Sequence, residues 1–293
     1  MEKFTNWGEQ RYRNLVMDRK ECTLCEKNKL VSMVNISNIS WFNKQKKFDT
    51  EYLGPWSEWQ GNLDSDLIII GNDWASVEYL KIHKEEYLIS SCREEPTNSK
   101  IRRYVQECIG KEISNPTIST TNQIFLTQAV LCLKDKNLLT QESWDHDITA
   151  PRECFDHCSK FLKATIELIF PREDNNKRGA VVSLSQRSTE IILNLFYEEL
   201  MKNGWIEKLK SIDFDLACSR KSPDFMMNNH TLNKLIDVDS GIPLYNEVRL
   251  FPMQHPSRDC ANRSKKEKAK KERGYWAEVV EEDWRRVGKY LYS

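Results

Sequence analysis

Asp73 and His255 are the two residues of this chain best placed to share a reaction. Asp73 closes the stretch Asp66-Leu67-Ile68-Ile69-Ile70-Gly71-Asn72-Asp73, a buried-strand pattern running into a glycine turn that carries a carboxylate. His255 lies in Met253-Gln254-His255-Pro256-Ser257, just after another apolar run, Val248-Arg249-Leu250-Phe251. An acid at one strand end and an imidazole at another suit a ligand site at the carboxyl ends of the strands of an open α/β sheet. Taken singly, each residue has a plainer reading, since aspartate is common in turns after strands.

The second group that can do chemistry is a set of thiols. Cys22-Thr23-Leu24-Cys25 is a C-x2-C pair able to grip one metal ion or cluster from a tight turn. Cys132 ends a strand-like run, and Cys158 falls in a helix-like one. Two more thiolates would complete the four-cysteine ligation of a [4Fe–4S] cluster or of structural zinc. Cys154 lies one helical turn before Cys158, so either reaches the same point. By spacing alone, Cys132 and Cys158 fit equally well as ordinary buried cysteines.

The elements that must hold these residues alternate. Leu67–Ile70, Ile124–Leu131, Ala180–Leu184 and Val248–Phe251 read as strands. Helical patterns cover Val77–Leu88, Lys100–Cys108, Pro151–Phe170, Ser188–Met201 and about Ser264–Tyr290, with Pro151 at a tolerated helix start. This alternation predicts an α/β protein, a three-layer α/β/α sandwich with a central, mainly parallel four-stranded sheet, in one domain over residues 1–293. Asp135–Thr149, Arg172–Gly179 and Arg220–Gly241 read as insertions, with His230 a surface residue.

At 293 residues, with 39% hydrophobic and 30% charged residues, the composition is that of a globular chain with a polar surface. There is no apolar run long enough for a membrane span, and Met1-Glu2-Lys3-Phe4 does not open a signal peptide, so a cytoplasmic location is expected. Reducing conditions there disfavour a disulfide framework for the nine cysteines. Net charge is zero, but between Arg263 and Arg273 seven Lys or Arg residues stand against two Glu. Its place after His255 favours phosphate contact over a merely solvated helix face.

Cys22-x-x-Cys25, the turn at Gly71, Leu126-Thr127-Gln128-Ala129-Val130-Leu131-Cys132, the run from Pro151-Arg152-Glu153 to Cys158-Ser159-Lys160-Phe161-Leu162, and His255-Pro256-Ser257 follow one another in a definite order. That order resembles the uracil-DNA glycosylase superfamily, in its iron–sulfur (family 4-like) branch, over about residues 20 to 290. The resemblance implies a [4Fe–4S] cluster on Cys22, Cys25, Cys132 and Cys158, with Cys154 the substitute for Cys158. Cys92, Cys108, Cys218 and Cys260 match no ligand position and are expected in packing or at the surface.

It also implies a monomeric, DNA-binding, monofunctional glycosylase that flips a base and hydrolyses its N-glycosidic bond. Asp73 would orient the attacking water and offset the charge developing on the sugar, while His255 would donate a hydrogen bond to the departing base. Lyase chemistry is not expected, because no lysine occupies either strand-end motif. Ser257 and Arg258 would work at the vacated base, with Lys265, Lys266 and Lys270 as backbone contacts and Arg187 as a further one.

The chain departs from the family pattern at its base pocket. Asn72-Asp73-Trp74-Ala75 replaces the branch's usual Glu, Ala, Pro, Gly. Asn72 can hydrogen-bond the base, and Trp74 can pack on the sugar or shape the turn. Gln128 stands where uracil-reading members carry asparagine. One extra methylene moves the amide by over an ångström, roughly, enough to alter recognition built on aligned hydrogen bonds. The segment whose phenylalanine stacks on the base is missing, leaving Trp56, Trp74 or Tyr79 as platforms. These departures point away from uracil toward a modified base, such as the modified cytosines of some bacteriophage genomes, and so toward antiviral defence. Uracil excision in repair and a non-catalytic iron–sulfur nucleic-acid-binding module are the alternatives.

Overall fold

The computed structural model describes residues 2–27, 33–35, 63–73, 96–111, 124–134, 150–211, 215–219, 222–226, 229–256 and 275–293. The expected helix Val77–Leu88, the insertion Asp135–Thr149 and most of the basic run lie outside these residues. The chain divides into two compact units, each built from separated stretches. One comprises Met1–Ser65, Asn72–Arg93 and Ser114–Ile169; the other comprises Asp66–Gly71, Glu94–Ile113 and Phe170–Ser293.

The fold is α/β, around a mixed, mostly parallel sheet of five strands rather than the expected four. These strands are β2 (Leu67–Asp73), β3 (Phe125–Val130), β5 (Gly179–Ser183), β8 (Ile242–Tyr245) and β9 (Val248–Pro252), in the order β3-β2-β5-β9-β8. Ile68, Ile69, Ile70, Val181 and Val182 are fully buried, the unbroken apolar run that a strand covered on both faces requires. β2 pairs parallel with β5 from Leu67↔Ala180 to Ile70↔Ser183, and β5 pairs parallel with β9 through Ser183↔Pro252.

The additional strand is β8, antiparallel to β9. Its four residues include Pro243, which weakens a strand reading from sequence, but a sheet edge tolerates the missing N–H. Asn246, at φ 45°, turns the chain between the two. Gly241 precedes β8 at φ +67°, and a Cβ there would stand 2.8 Å from the Phe251 ring and 3.0 Å from the Leu250 carbonyl oxygen.

In the same unit, helix α3 (Pro96–Arg103) leads into a π-helical turn, Tyr104–Ile109, and the C-terminal helix α9 (Tyr275–Tyr292) packs against that turn. The Tyr104 and Trp284 rings stack with centroids 5.4 Å apart. The expected helix Ser188–Met201 is instead two, α5 (Gln186–Leu195) and α6 (Tyr197–Lys202). Phe196 breaks them at φ −113°, ψ 24°, and its buried ring stacks on Tyr245 at 5.3 Å. Helix α7 (Trp205–Ser211) follows, and the expected insertion Arg220–Gly241 holds ordered elements. These are β7 (Ser222–Met226), paired antiparallel with β6 (Asp215–Ser219), and helix α8 (Asn229–Ile236), which carries His230.

The other unit contains α1 (Glu2–Lys20), which is not among the expected elements, and α2 (Leu24–Lys27). It also holds a two-stranded antiparallel ribbon of β1 (Met33–Val34) and β4 (Leu133–Lys134). Helix α4 (Arg152–Ile169) packs on both α1 and β3. Its buried residues Cys154, Phe155, Cys158, Phe161, Leu162, Thr165, Ile166 and Ile169 recur at helical spacing and form one face.

Gly241→Ala is expected to destabilise the protein by about 1–3 kcal/mol, from a left-handed backbone and a crowded Cβ together. Urea unfolding monitored by tryptophan fluorescence checks it, with an unchanged midpoint as the contrary result.

Candidate functional site

Strand β2 places Asn72 and Asp73. The strand runs on through Gly71 to Asp73, so the expected turn at Gly71 is absent, and Gly71 is not among the glycines with positive φ. The five positions Leu67–Gly71 are buried and the last two less completely so, and the strand delivers its amide and carboxylate as it leaves the core. Trp74 lies outside the described residues, as do Trp56 and Tyr79.

Asp73 is held at both oxygens. Lys134 Nζ stands 2.8 Å from Oδ1, and the Ala150 backbone N–H donates to Oδ2 at 3.0 Å. The pair is largely shielded, with side chains 20% (Lys134) and 9% (Asp73) exposed. A carboxylate has about four lone-pair sites, so two such contacts leave capacity for a water. The facing lysine reduces the net charge that Asp73 presents. Lys134 was not expected at the site; it sits in neither strand-end motif, and only the β1–β4 ribbon brings it there.

Gln128, on β3, is buried, and its Oε1 makes no hydrogen bond among the described residues. A buried, unsatisfied amide oxygen costs about 1–3 kcal/mol, so such a group calls for a partner.

His255 belongs to the other unit. It is half-buried, three residues beyond the end of β9, and both of its neighbours are tied down. Gln254 Nε2 donates to Asn233 Oδ1 of α8 at 2.8 Å, and Lys100 Nζ of α3 donates to the Pro256 carbonyl at 2.6 Å. Ser257, Arg258, Lys265, Lys266 and Lys270 lie outside the described residues. Arg187 is within them and is engaged locally, its Nη1 2.6 Å from Oε2 of the buried Glu190.

The thiols meet in the first unit. Cys25 is drawn well below the ordinary thiol range, to about 2, by hydrogen bonding with Cys132 and then Cys154, against the opposing effect of burial and with help from His157. Hydrogen bonding with Cys158, then with Cys25, pushes Cys132 up, and the same Cys132 contact draws Cys158 down. Cys154 is pushed up, first by Cys25 and then by burial. Each of these four thiols is thus shifted by another of the set, and the helix α4 that bears Cys154 and Cys158 packs on both α2 and β3. His157, unremarked in the sequence although it adjoins Cys158 in Cys154-x-x-His157-Cys158, has its Nδ1 3.5 Å from Cys25 Sγ. Among the described residues, no three such side chains are arranged so as to hold a metal ion.

A buried cation stands beside these thiols. Arg19 is 2% exposed; burial draws its guanidinium down, opposed by attraction to Tyr12, Cys132, Cys158 and Cys22. A buried cation beside thiols is better compensated when those thiols are thiolates. Asn35 fixes the C-x2-C turn by donating from Nδ2 to the carbonyls of Arg19 at 3.0 Å and Cys22 at 2.9 Å. Cys22 is half-exposed on an open groove of about 440 Å³ lined also by Asp18, Glu21, Leu24, Lys160 and Phe161.

Neither the protein-family models nor the curated proteins give a match to this chain.

Of the other cysteines, Cys108 is half-buried on the π-helical turn, where burial pushes its thiol up to about 11. Cys218 lies in β6, and Cys92 and Cys260 fall outside the described residues. No helix among the described residues is long and apolar enough to cross a membrane.

The resemblance to the iron–sulfur branch predicts that anaerobically purified protein is brown, with iron and sulfide in equal amounts and little zinc, as measured by elemental analysis and visible absorbance. A colourless, zinc-loaded preparation would instead assign the thiols to structural zinc.

Proposed function

We propose that this protein is a DNA base glycosylase that acts on a flipped, modified base and leaves an abasic site. Its frame would be the three-layer α/β/α arrangement expected from sequence. The observation that carries the reading is the Gln128 amide, buried with an unpartnered oxygen on β3, while Asp73 closes β2. An amide offers an acceptor and a donor, the combination that reads the Watson–Crick edge of a pyrimidine. In cytosine the exocyclic amine supplies the missing N–H and the ring nitrogen accepts from Nε2.

In the reaction, the N-glycosidic bond breaks with its electron pair leaving on the base, and the sugar becomes an oxocarbenium ion. Asp73, oriented by Lys134 and Ala150, would direct water at C1′, and the proton that water loses would end on the base anion. The role the resemblance gives His255 is to donate a hydrogen bond to the oxygen where negative charge collects. Lys134 is engaged in an ion pair, and an ammonium has no lone pair for attack on C1′, so the step is hydrolysis without lyase chemistry. A [4Fe–4S] cluster would be held by Cys25, Cys132 and Cys158 with Cys22 or Cys154, and would supply structural clamping. DNA would be bound by a monomer, its phosphates met by the basic run that includes Lys265, Lys266 and Lys270, and the biological role would be defence against DNA with modified cytosine.

The Asp73–Lys134 ion pair also favours a second reading, a non-catalytic iron–sulfur nucleic-acid-binding module. Such a tie would stabilise the unit whether or not chemistry occurs. Excision of plain uracil is less well supported, because glutamine replaces the shorter asparagine of uracil-reading members.

DNA carrying uracil, hypoxanthine, hydroxymethylcytosine or glucosylated hydroxymethylcytosine, incubated with the protein and probed for abasic sites, separates these readings. Excision of a modified cytosine in preference to uracil is expected. Binding without excision of any base would establish the non-catalytic module. On the excised base, Asp73→Ala is expected to lower turnover by roughly 10²–10⁴-fold with DNA affinity retained, as for loss of a positioned acid–base group. Equal turnover in that variant would remove Asp73 from the mechanism.

A further inference from the structure

The two groups that hold Asp73 both belong to segments anchored by the thiols. Lys134, which meets Oδ1, is two residues beyond Cys132. At a strand's rise this separation is roughly 7 Å. The intervening Leu133 is buried, and the segment is paired through Val34↔Leu133 and Met33↔Lys134 with β1. β1 packs in turn on α2, the helix that carries Cys25. Ala150, whose N–H meets Oδ2, is buried and adjoins Pro151 at the head of α4. The Cys154 N–H donates to the Pro151 carbonyl at 3.0 Å, so the Ala150 end of this arm is bonded to the first thiol-bearing turn.

We infer that the thiol centre positions the Asp73 carboxylate, with Lys134 and the Ala150 amide as its two arms. Two contacts at different oxygens fix both the rotation and the plane of the carboxylate, and they leave its other lone pairs to aim a water. Cys25 Sγ lies 3.5 Å from Nδ1 of His157, and α4, which carries His157, Cys154 and Cys158, packs on both α2 and β3, the strand that leads to Cys132. Loosening that centre therefore shifts both arms at once. Lys134 is thus a positioning residue, acting through Asp73. Its consequence for turnover rests on the glycosylase reading, whereas the coupling between thiols and carboxylate does not.

Hydrogen exchange of the Ala150 amide reads the coupling directly. Full-length protein as purified, the same protein stripped with a chelator under reducing conditions, Cys132→Ala and Asp73→Ala are compared, with metal content measured for each. Protection at Ala150 is expected to fall at least about tenfold in all three altered samples while β5 stays protected. Unchanged protection in stripped protein and in Cys132→Ala would overturn the inference, and so would equal loss across β5, which would mean general unfolding. Protein purified without metal is decided by the Cys132→Ala arm. In loaded protein with the base found to be excised, Lys134→Met is expected to lower kcat by roughly 10²-fold with KM within about twofold, and Lys134→Arg to restore most of it. Loss of activity equal in both variants would refute positioning by Lys134. A wild type that excises no base fails the glycosylase reading, and the exchange result still decides the coupling.

Discussion

A buried positive charge among sulfurs is the constraint on which the first unit is built. Arg19 lies near the end of α1 with almost no solvent contact, facing thiols from the C-x2-C turn, from beyond β3 and from α4. A guanidinium cannot shed its proton at ordinary pH, so burial must be met by nearby negative or strongly accepting groups. That requirement joins three distant stretches of sequence at one place. Asn35 supports the arrangement by satisfying carbonyls at the end of α1, groups that a helix terminus otherwise leaves to solvent.

The second unit rests on a different principle. Its centre is an apolar sheet in which β2, β5 and β9 run parallel and in register, so their carboxyl ends share one edge. Polar groups near that edge are paired locally. Ser183 Oγ meets Thr189 Oγ1 at 2.7 Å, and Ser185 caps α5 by accepting the Ser188 N–H. The His255 loop leaves the same edge and is pinned on each side of the histidine, by Asn233 and by Lys100. A loop tied at both flanks holds its middle residue with little freedom, which is what an imidazole needs in order to donate to one chosen atom.

Strands were legible wherever continuous apolar runs carried the signal, and their positions agree within a residue or so for β3, β5 and β9. Leu67–Ile70 was legible as a strand, but its continuation through Gly71-Asn72-Asp73 was not, because glycine before two polar residues has the composition of a turn. β8 was hidden by its length and by Pro243, which only its edge position makes acceptable. The break at Phe196 depends on a tertiary stack with Tyr245, about which local periodicity carries no information. Of the site, the acid, the histidine and the thiols could be singled out because their residue types are rare and chemically pointed. Lys134 and Arg19 could not be, since lysine and arginine are common and their significance comes only from what folding sets beside them.

The Asp73–Lys134 pair then bears on what kind of acid this is. A free carboxylate at a strand end could both attract a cationic sugar and take up a proton. A carboxylate with a lysine on one oxygen and an amide N–H on the other is constrained in direction and partly neutralised in charge. The energy of such a pair, partly desolvated, is spent on geometry rather than on long-range attraction. On the glycosylase reading, attraction for DNA must therefore come from elsewhere, and the cationic stretch after His255 is the part of the sequence able to supply it. Binding and chemistry would then fall to different parts of the sequence, phosphate affinity to the residues after β9 and water handling to the end of β2. Buried Gln128, on β3, would read the base independently of both. On that reading, such a division would let the base-reading residue change, glutamine for asparagine at Gln128, without disturbing the groups that aim the water.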